Sequence, residues 1–163
     1  MSTTEPGPSD PLRIFSTLAA GGVEYLVVGG VAGQAHGLTR TTQDVDVIPA
    51  PGIENARRLA AALDELGARL AGVDAHLLGI DLDAETLAGG ANFTLATGAG
   101  GLDVFGEVPG AAPYDELTAR AEVLDVRGVA IPVVSREDLL AMKRASARPQ
   151  DLADIAELTE PAP

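Results

Sequence analysis

Apolar residues in this chain recur at helical spacing in some stretches and cluster in short blocks between them, a pattern of helices interleaved with strands. Leu12, Phe15 and Leu18 set a helix over Pro11–Ala20 that Gly21-Gly22 stops. A buried strand over 23–28 runs into the Gly29-Gly30 turn, followed by a short helix over 31–36 that Gly37 ends. A second strand spans 43–48. Beyond Pro49-Ala50-Pro51-Gly52, Ala56, Leu59, Ala60 and Leu63 mark a helix over 53–66, capped by Gly67.

The pattern then weakens. Residues 75–82 and 91–97 read as strands, and the glycine-rich 98–101 leads into a strand over 102–105, giving a hairpin. Tyr114–Arg120 reads as a helix, and strands over Glu122–Val126 and 129–134 fold about Arg127-Gly128. Ser135, with Asp138 three residues on, opens a helix that Pro149 ends; a last helix covers 150–158. The expected organisation is one domain over 11–158 between a disordered tail at 1–10 and a short one at 159–163, both poor in apolar residues.

Composition narrows the function classes. A formal net charge of −13 argues against broad electrostatic capture of nucleic acid or an anionic membrane. With no cysteine there is no disulfide, thiolate metal site or cysteine nucleophile, and two histidines make zinc a poor expectation. His36 is expected to cap or pack at a helix end and His76 to lie on a surface strand. No apolar run is long enough for a membrane span, and the simplest expectation is a cytoplasmic protein. Lys143 is the lone lysine in a chain whose other cations are arginines.

The chemistry concentrates between Val27 and Val47, in VVGGVAGQAHGLTRTTQDVDV. Residues two apart on a strand share a face, so Asp44 and Asp46 are expected to project together, with Val45 and Val47 turned inward. Paired carboxylates suit a hard divalent cation. Gly29 and Gly30 permit close approach of backbone N–H groups to phosphate. Asp103, alternating with Leu102 and Val104, is the candidate third carboxylate, as metal ligand or general base. Arg40 is a candidate triphosphate contact, and Lys143 could offset phosphate charge or move a proton, with Arg144 beside it and Arg148 and Asp151 helping to position it.

Taken in order, GGVAGQAHGLTRTTQDVDV, LDVFGEV and SREDLLAMKRASARPQDLADIAEL resemble the minimal nucleotidyltransferases, specifically the AbiEii-type toxin nucleotidyltransferases, over roughly residues 27–158. The resemblance implies a polymerase-β-like α/β (α+β) fold, a small mixed sheet flanked by helices. It implies transfer of a nucleoside monophosphate from an NTP to an acceptor hydroxyl with one or two Mg²⁺ ions, and a cytoplasmic toxin with a cognate antitoxin protein. By position, Gly29 and Gly30 match the glycine pair, Asp44 and Asp46 the metal-binding carboxylates, and Lys143, Asp151 and Asp154 the C-terminal motifs. Gly30 stands where many nucleotidyltransferases have serine and Val31 where the AbiEii-type form often has threonine, so backbone amides must take over a hydroxyl's phosphate contact. The acceptor stays open among tRNA, protein and a small molecule such as an aminoglycoside. A catalytically silent nucleotide-binding module and an antibiotic-modifying enzyme are the alternatives.

Overall fold

The computed structural model describes residues 3–4, 7–73 and 75–160. In chain order the elements are β1 (Thr3–Thr4), α1 (Pro11–Ala20), β2 (Tyr25–Val28), α2 (Gly29–Ala35), β3 (Val45–Pro49), α3 (Ile53–Glu65), β4 (Arg69–Leu70) and β5 (Gly72–Val73). They continue with a 3₁₀ turn (Ala75–Leu78), α4 (Ala84–Ala88), β6 (Phe93–Thr97), β7 (Gly100–Val104), α5 (Tyr114–Arg120), β8 (Glu122–Val126), β9 (Val129–Val133), α6 (Arg136–Ser146) and α7 (Pro149–Thr159).

Seven strands form one mixed sheet in the order β4-β6-β7-β3-β2-β9-β8. This is the expected α/β architecture. β2 lies antiparallel to β3, while β3 runs parallel to β7 and β2 parallel to β9. Central position explains the valine-rich composition: all of β2 is buried, and Val27, Val45, Val47 and Leu102 are fully inaccessible. At the opposite extreme β8, on the sheet edge, is exposed throughout.

Local chemistry fixes the helix ends. Pro11 stands at the first turn of α1, where the Asp10 carboxylate accepts from the Arg13 N–H at 3.3 Å. The Ser135 hydroxyl accepts from the Asp138 N–H at 3.1 Å, so the expected cap of α6 is formed. Pro149 opens α7, and Asp151 accepts from the Arg148 N–H at 3.1 Å.

Several expectations are corrected. The span 75–82 is not a strand: after the 3₁₀ turn it runs irregularly, with Leu77 and Leu78 exposed. The side chain of His76 lies outside the described residues. Sequence patterning missed α4 and the short strands β1, β4 and β5, which are too brief to show a period. Residues 7–10, expected within a loose tail, are tied down: Gly7 N–H donates to Thr97 O at 2.7 Å and Asp10 N–H to Ala99 O at 2.8 Å. The expected tail at the other end is trimmed by α7 reaching Thr159, and 161–163 lie outside the described residues.

Candidate active site

β2 has no connecting turn before α2. The chain passes from strand to helix at Gly29, whose φ of +65° accomplishes the reversal, so the two glycines form the first turn of the helix. Val28 pairs with Asp46 on β3, which sets the glycines against the aspartate strand. A Cβ at Gly29 would collide with the Asp46 carboxylate, and one at Gly30 would come within 2.7 Å of the Thr42 hydroxyl. The glycines therefore serve close packing with the aspartate loop as much as access for a ligand.

Asp46 lies in β3 as expected, but Asp44 sits in a bend one residue before the strand begins, exposed, with Asp46 half-buried. Whether Asp103 meets them is decided by register. β3 and β7 are parallel neighbours, strands spaced about 4.8 Å apart, with Asp46 directly opposite Asp103, so the two carboxylates stand side by side on one face of the sheet. One step back, Val45 pairs with Leu102, and the Asp44 carboxylate leans across Gly101 into the volume a side chain there would fill. Sequence reasoning did not single out Gly101, although its place two residues before Asp103 on the same face was a usable signal.

Electrostatics follow from this crowding. Burial first, then the Asp103 carboxyl beside it and Asp44 beyond, push the Asp46 carboxyl up to about 7; the nearby Gly30 N–H favours its anion but is outweighed. Among the described residues none of the three carboxylates makes an ion pair.

A cleft of about 230 Å³ opens beside Asp46. Val28, Gly29, Phe105, Met142, Lys143, Arg148 and Asp151 are among the residues that line it. The C-terminal motif residues thus converge with the glycine turn. Lys143 is buried, its Nζ 2.8 Å from Asp154 Oδ2 and 3.9 Å from Asp151 Oδ1. Arg148, its side chain 74 % exposed at the rim, donates to Asp151 from Nε at 2.9 Å. Arg144 is exposed on α6.

Arg40 is placed differently. Its guanidinium forks onto Asp154 with two bonds of 2.9 Å and does not line the cleft. Gln150 adds a third donor to Asp154 at 2.9 Å. Burial raises the pKa of Asp154 and of Asp151, but their donors prevail. Arg40, Lys143 and Gln150 hold Asp154 far below the usual carboxylate range, and Arg148 and Ser146 hold Asp151 below it. His36, expected at a helix end, is the C-cap of α2 and bonds Val134 O through Nε2 at 2.8 Å, a structural tie.

The donor set suits a hard divalent cation. Among the described residues no three acidic or histidine side chains are arranged to clasp an ion unaided. Magnesium, however, is commonly held by one or two carboxylates together with substrate phosphates, and Asp46 and Asp103 supply such a pair. A cation bound there would favour the Asp46 anion, which burial first and then the neighbouring carboxyls disfavour.

No family model matches the chain, and no curated protein matches it. Solved structures do. The antibiotic-resistance factor ANT(2'')-Ia superposes with a TM-score of 0.58 at 17% identity, over 91% of this chain and 80% of its own. The chain has the nucleotidyltransferase fold. The lincosamide antibiotic adenylyltransferase LnuA, in its lincomycin-bound form, gives a TM-score of 0.58 at 15% identity over 94% of this chain and 99% of its own. An antigenic nucleotidyltransferase-like protein from Paracoccidioides brasiliensis gives 0.56 at 20% identity, over 94% and 77%. No helix among the described residues is long and apolar enough to cross a membrane.

Proposed function

We propose that this protein is a magnesium-dependent nucleotidyltransferase that moves a nucleoside monophosphate from an NTP to an acceptor hydroxyl. The observation that carries the reading is the juxtaposition of Asp46 with Asp103, neither in an ion pair among the described residues, with Asp46 lining a cleft that Gly29, Lys143 and Arg148 also line. Asp44, Asp46 and Asp103 would hold the metal, which when bound would neutralise charge on the triphosphate and the departing pyrophosphate. The Gly29-Gly30 turn lets the triphosphate approach the backbone. Arg148 keeps N–H donors free beyond those spent on Asp151 and meets phosphate at the rim, a duty better suited to it than to Arg40. Lys143 adds compact positive charge from the wall, oriented by its hydrogen bond to Asp154 rather than by the more distant Asp151.

In the reaction the acceptor oxygen forms a bond to the α-phosphorus as the bond from that phosphorus to the β-bridging oxygen breaks. Pyrophosphate leaves, and the acceptor proton passes to Asp103.

For the acceptor, two readings have support. Likeness in fold to antibiotic-modifying proteins, one solved in complex with adenylyl-2''-tobramycin, favours a small-molecule hydroxyl. A net charge of −13 suits a cationic small molecule better than a tRNA. The resemblance to AbiEii-type motifs supports a toxin acting on tRNA or protein in the cytoplasm, restrained by an antitoxin protein.

One experiment separates them. The protein is incubated with each labelled NTP, Mg²⁺ and either an aminoglycoside and lincosamide panel or a cell extract, beside an Asp44→Ala, Asp46→Ala control. Label on a drug supports the first acceptor class, and label on RNA or protein the second. Nucleotide binding without pyrophosphate release indicates a catalytically silent module. Absence of both overturns the reading.

A further inference from the structure

The loop that delivers Asp44 is fastened at two points to α7, the last helix. Arg40, four residues before Asp44, forks onto Asp154, which is 1% exposed. Next to it, both the backbone N–H and the hydroxyl of Thr39 donate to Glu157 Oε1, at 3.0 and 2.7 Å. Asp154 and Glu157 lie three apart, on one face of the helix. On its other side the loop is held to α2, where the Gln34 side chain donates to Arg40 O at 3.0 Å and Leu38 is buried under Gly33. Between these fastenings and the start of β3, residues 41–44 have no regular structure of their own.

From this arrangement we infer that α7 works as a clamp on the aspartate loop, making Asp154 and Glu157 positioning residues for Asp44 in nucleotidyl transfer. The inference rests on the reading in the preceding section. Nothing in the chemistry of phosphate binding demands Glu157. It carries negative charge on the helix that also bears Asp151 and Asp154, and its observed bonds go only to the loop. Asp154 has a second attachment through Lys143, so the same carboxylate sets the loop and the cation on the cleft wall. A shift of about an ångström in a reacting group costs roughly a hundredfold in rate, which is what a clamp of this kind prevents.

Glu157→Ala is the decisive variant, because Glu157 is exposed and its loss leaves no buried charge unpaired. Arg40→Lys, which keeps the charge but cannot fork, is the second. Backbone hydrogen exchange over 38–46 and steady-state pyrophosphate release, as a function of NTP and Mg²⁺, are read on the same preparations. The clamp predicts that Glu157→Ala speeds exchange in this segment about thirtyfold, the worth of its two hydrogen bonds to Thr39, without changing β6 and β7. It also predicts a lower kcat with little change in KM for NTP, partly restored by Glu157→Gln, whose amide oxygen still accepts. Unchanged exchange in both variants, or faster exchange with undiminished kcat, overturns the inference. If the wild-type protein releases no pyrophosphate, the nucleotidyl-transfer reading fails instead, and exchange alone judges the clamp.

Discussion

Two groups of aspartates, of which Asp46 and Asp151 line one cleft, live in opposite electrostatic conditions. Asp44, Asp46 and Asp103 gather at the sheet with no ion pair among the described residues, and Asp46 is forced up to about 7. Asp151 and Asp154, more deeply buried, are saturated by Arg40, Lys143, Arg148 and Gln150 and held below the ordinary range. Burial acts alike on both groups; partners reverse the sign. Carboxylates without partners are poised to accept a cation from solution, whereas those already paired hold the fold together.

The comparison breaks most sharply on substitution. Asp46→Asn is expected to lower NMP transfer on the order of a thousandfold, several kcal/mol of lost charge stabilisation, while leaving the metal-free melting temperature equal or higher. Chelation of divalent ions with EDTA should abolish turnover to the same extent in wild type. Asp154→Asn should do the reverse in kind, costing about 3–5 kcal/mol of stability in denaturant titration because buried Lys143 loses its closest partner. If Asp46→Asn destabilises and Asp154→Asn does not, the contrast fails.

A smaller effect is expected at the junction between strand and helix. Gly29→Ala places a Cβ against the Asp46 carboxylate at a positive φ, and about 1–3 kcal/mol of destabilisation should be measured with a loss of Mg²⁺ affinity. Gly67→Ala shares the φ of +65° without the collision, so the difference between the two isolates the steric part.

The mildest test is pH. Asp46 has a folded value raised above the unfolded one, so the folded state binds the extra proton between about pH 4 and 7. Its stabilising contribution is complete below pH 4 and is lost as pH rises through about 7. Asp151 and Asp154, with depressed values, contribute stability above about pH 4 that disappears on further acidification. Melting of metal-free protein should therefore decline from pH 4 to 7 by an amount that Asp46→Asn removes and Mg²⁺ offsets. A profile that is the same in Asp46→Asn would remove Asp46 as its source.

The sequence alone carried the α/β alternation, the hairpins β6–β7 and β8–β9, the helix cap at Ser135 and the break before the last helix at Pro149, and it singled out the candidate aspartates. Each of these depends on neighbours within a few residues: period, turn chemistry and capping are local. What it did not carry were the weak elements between Ala68 and Asn92, where strands of two residues have no period to read. Nor did it reveal that Arg40 is spent on a carboxylate 114 positions away, or that Gly101 makes room for Asp44.

Those facts belong to tertiary structure because strand register and long-range ion pairing are set by how distant segments stack. Asp46 and Asp103 became a pair only when β3 and β7 aligned residue for residue. The same residue type then took up two roles according to which cations the fold brought within reach, and a reader of one dimension has no distance with which to tell them apart.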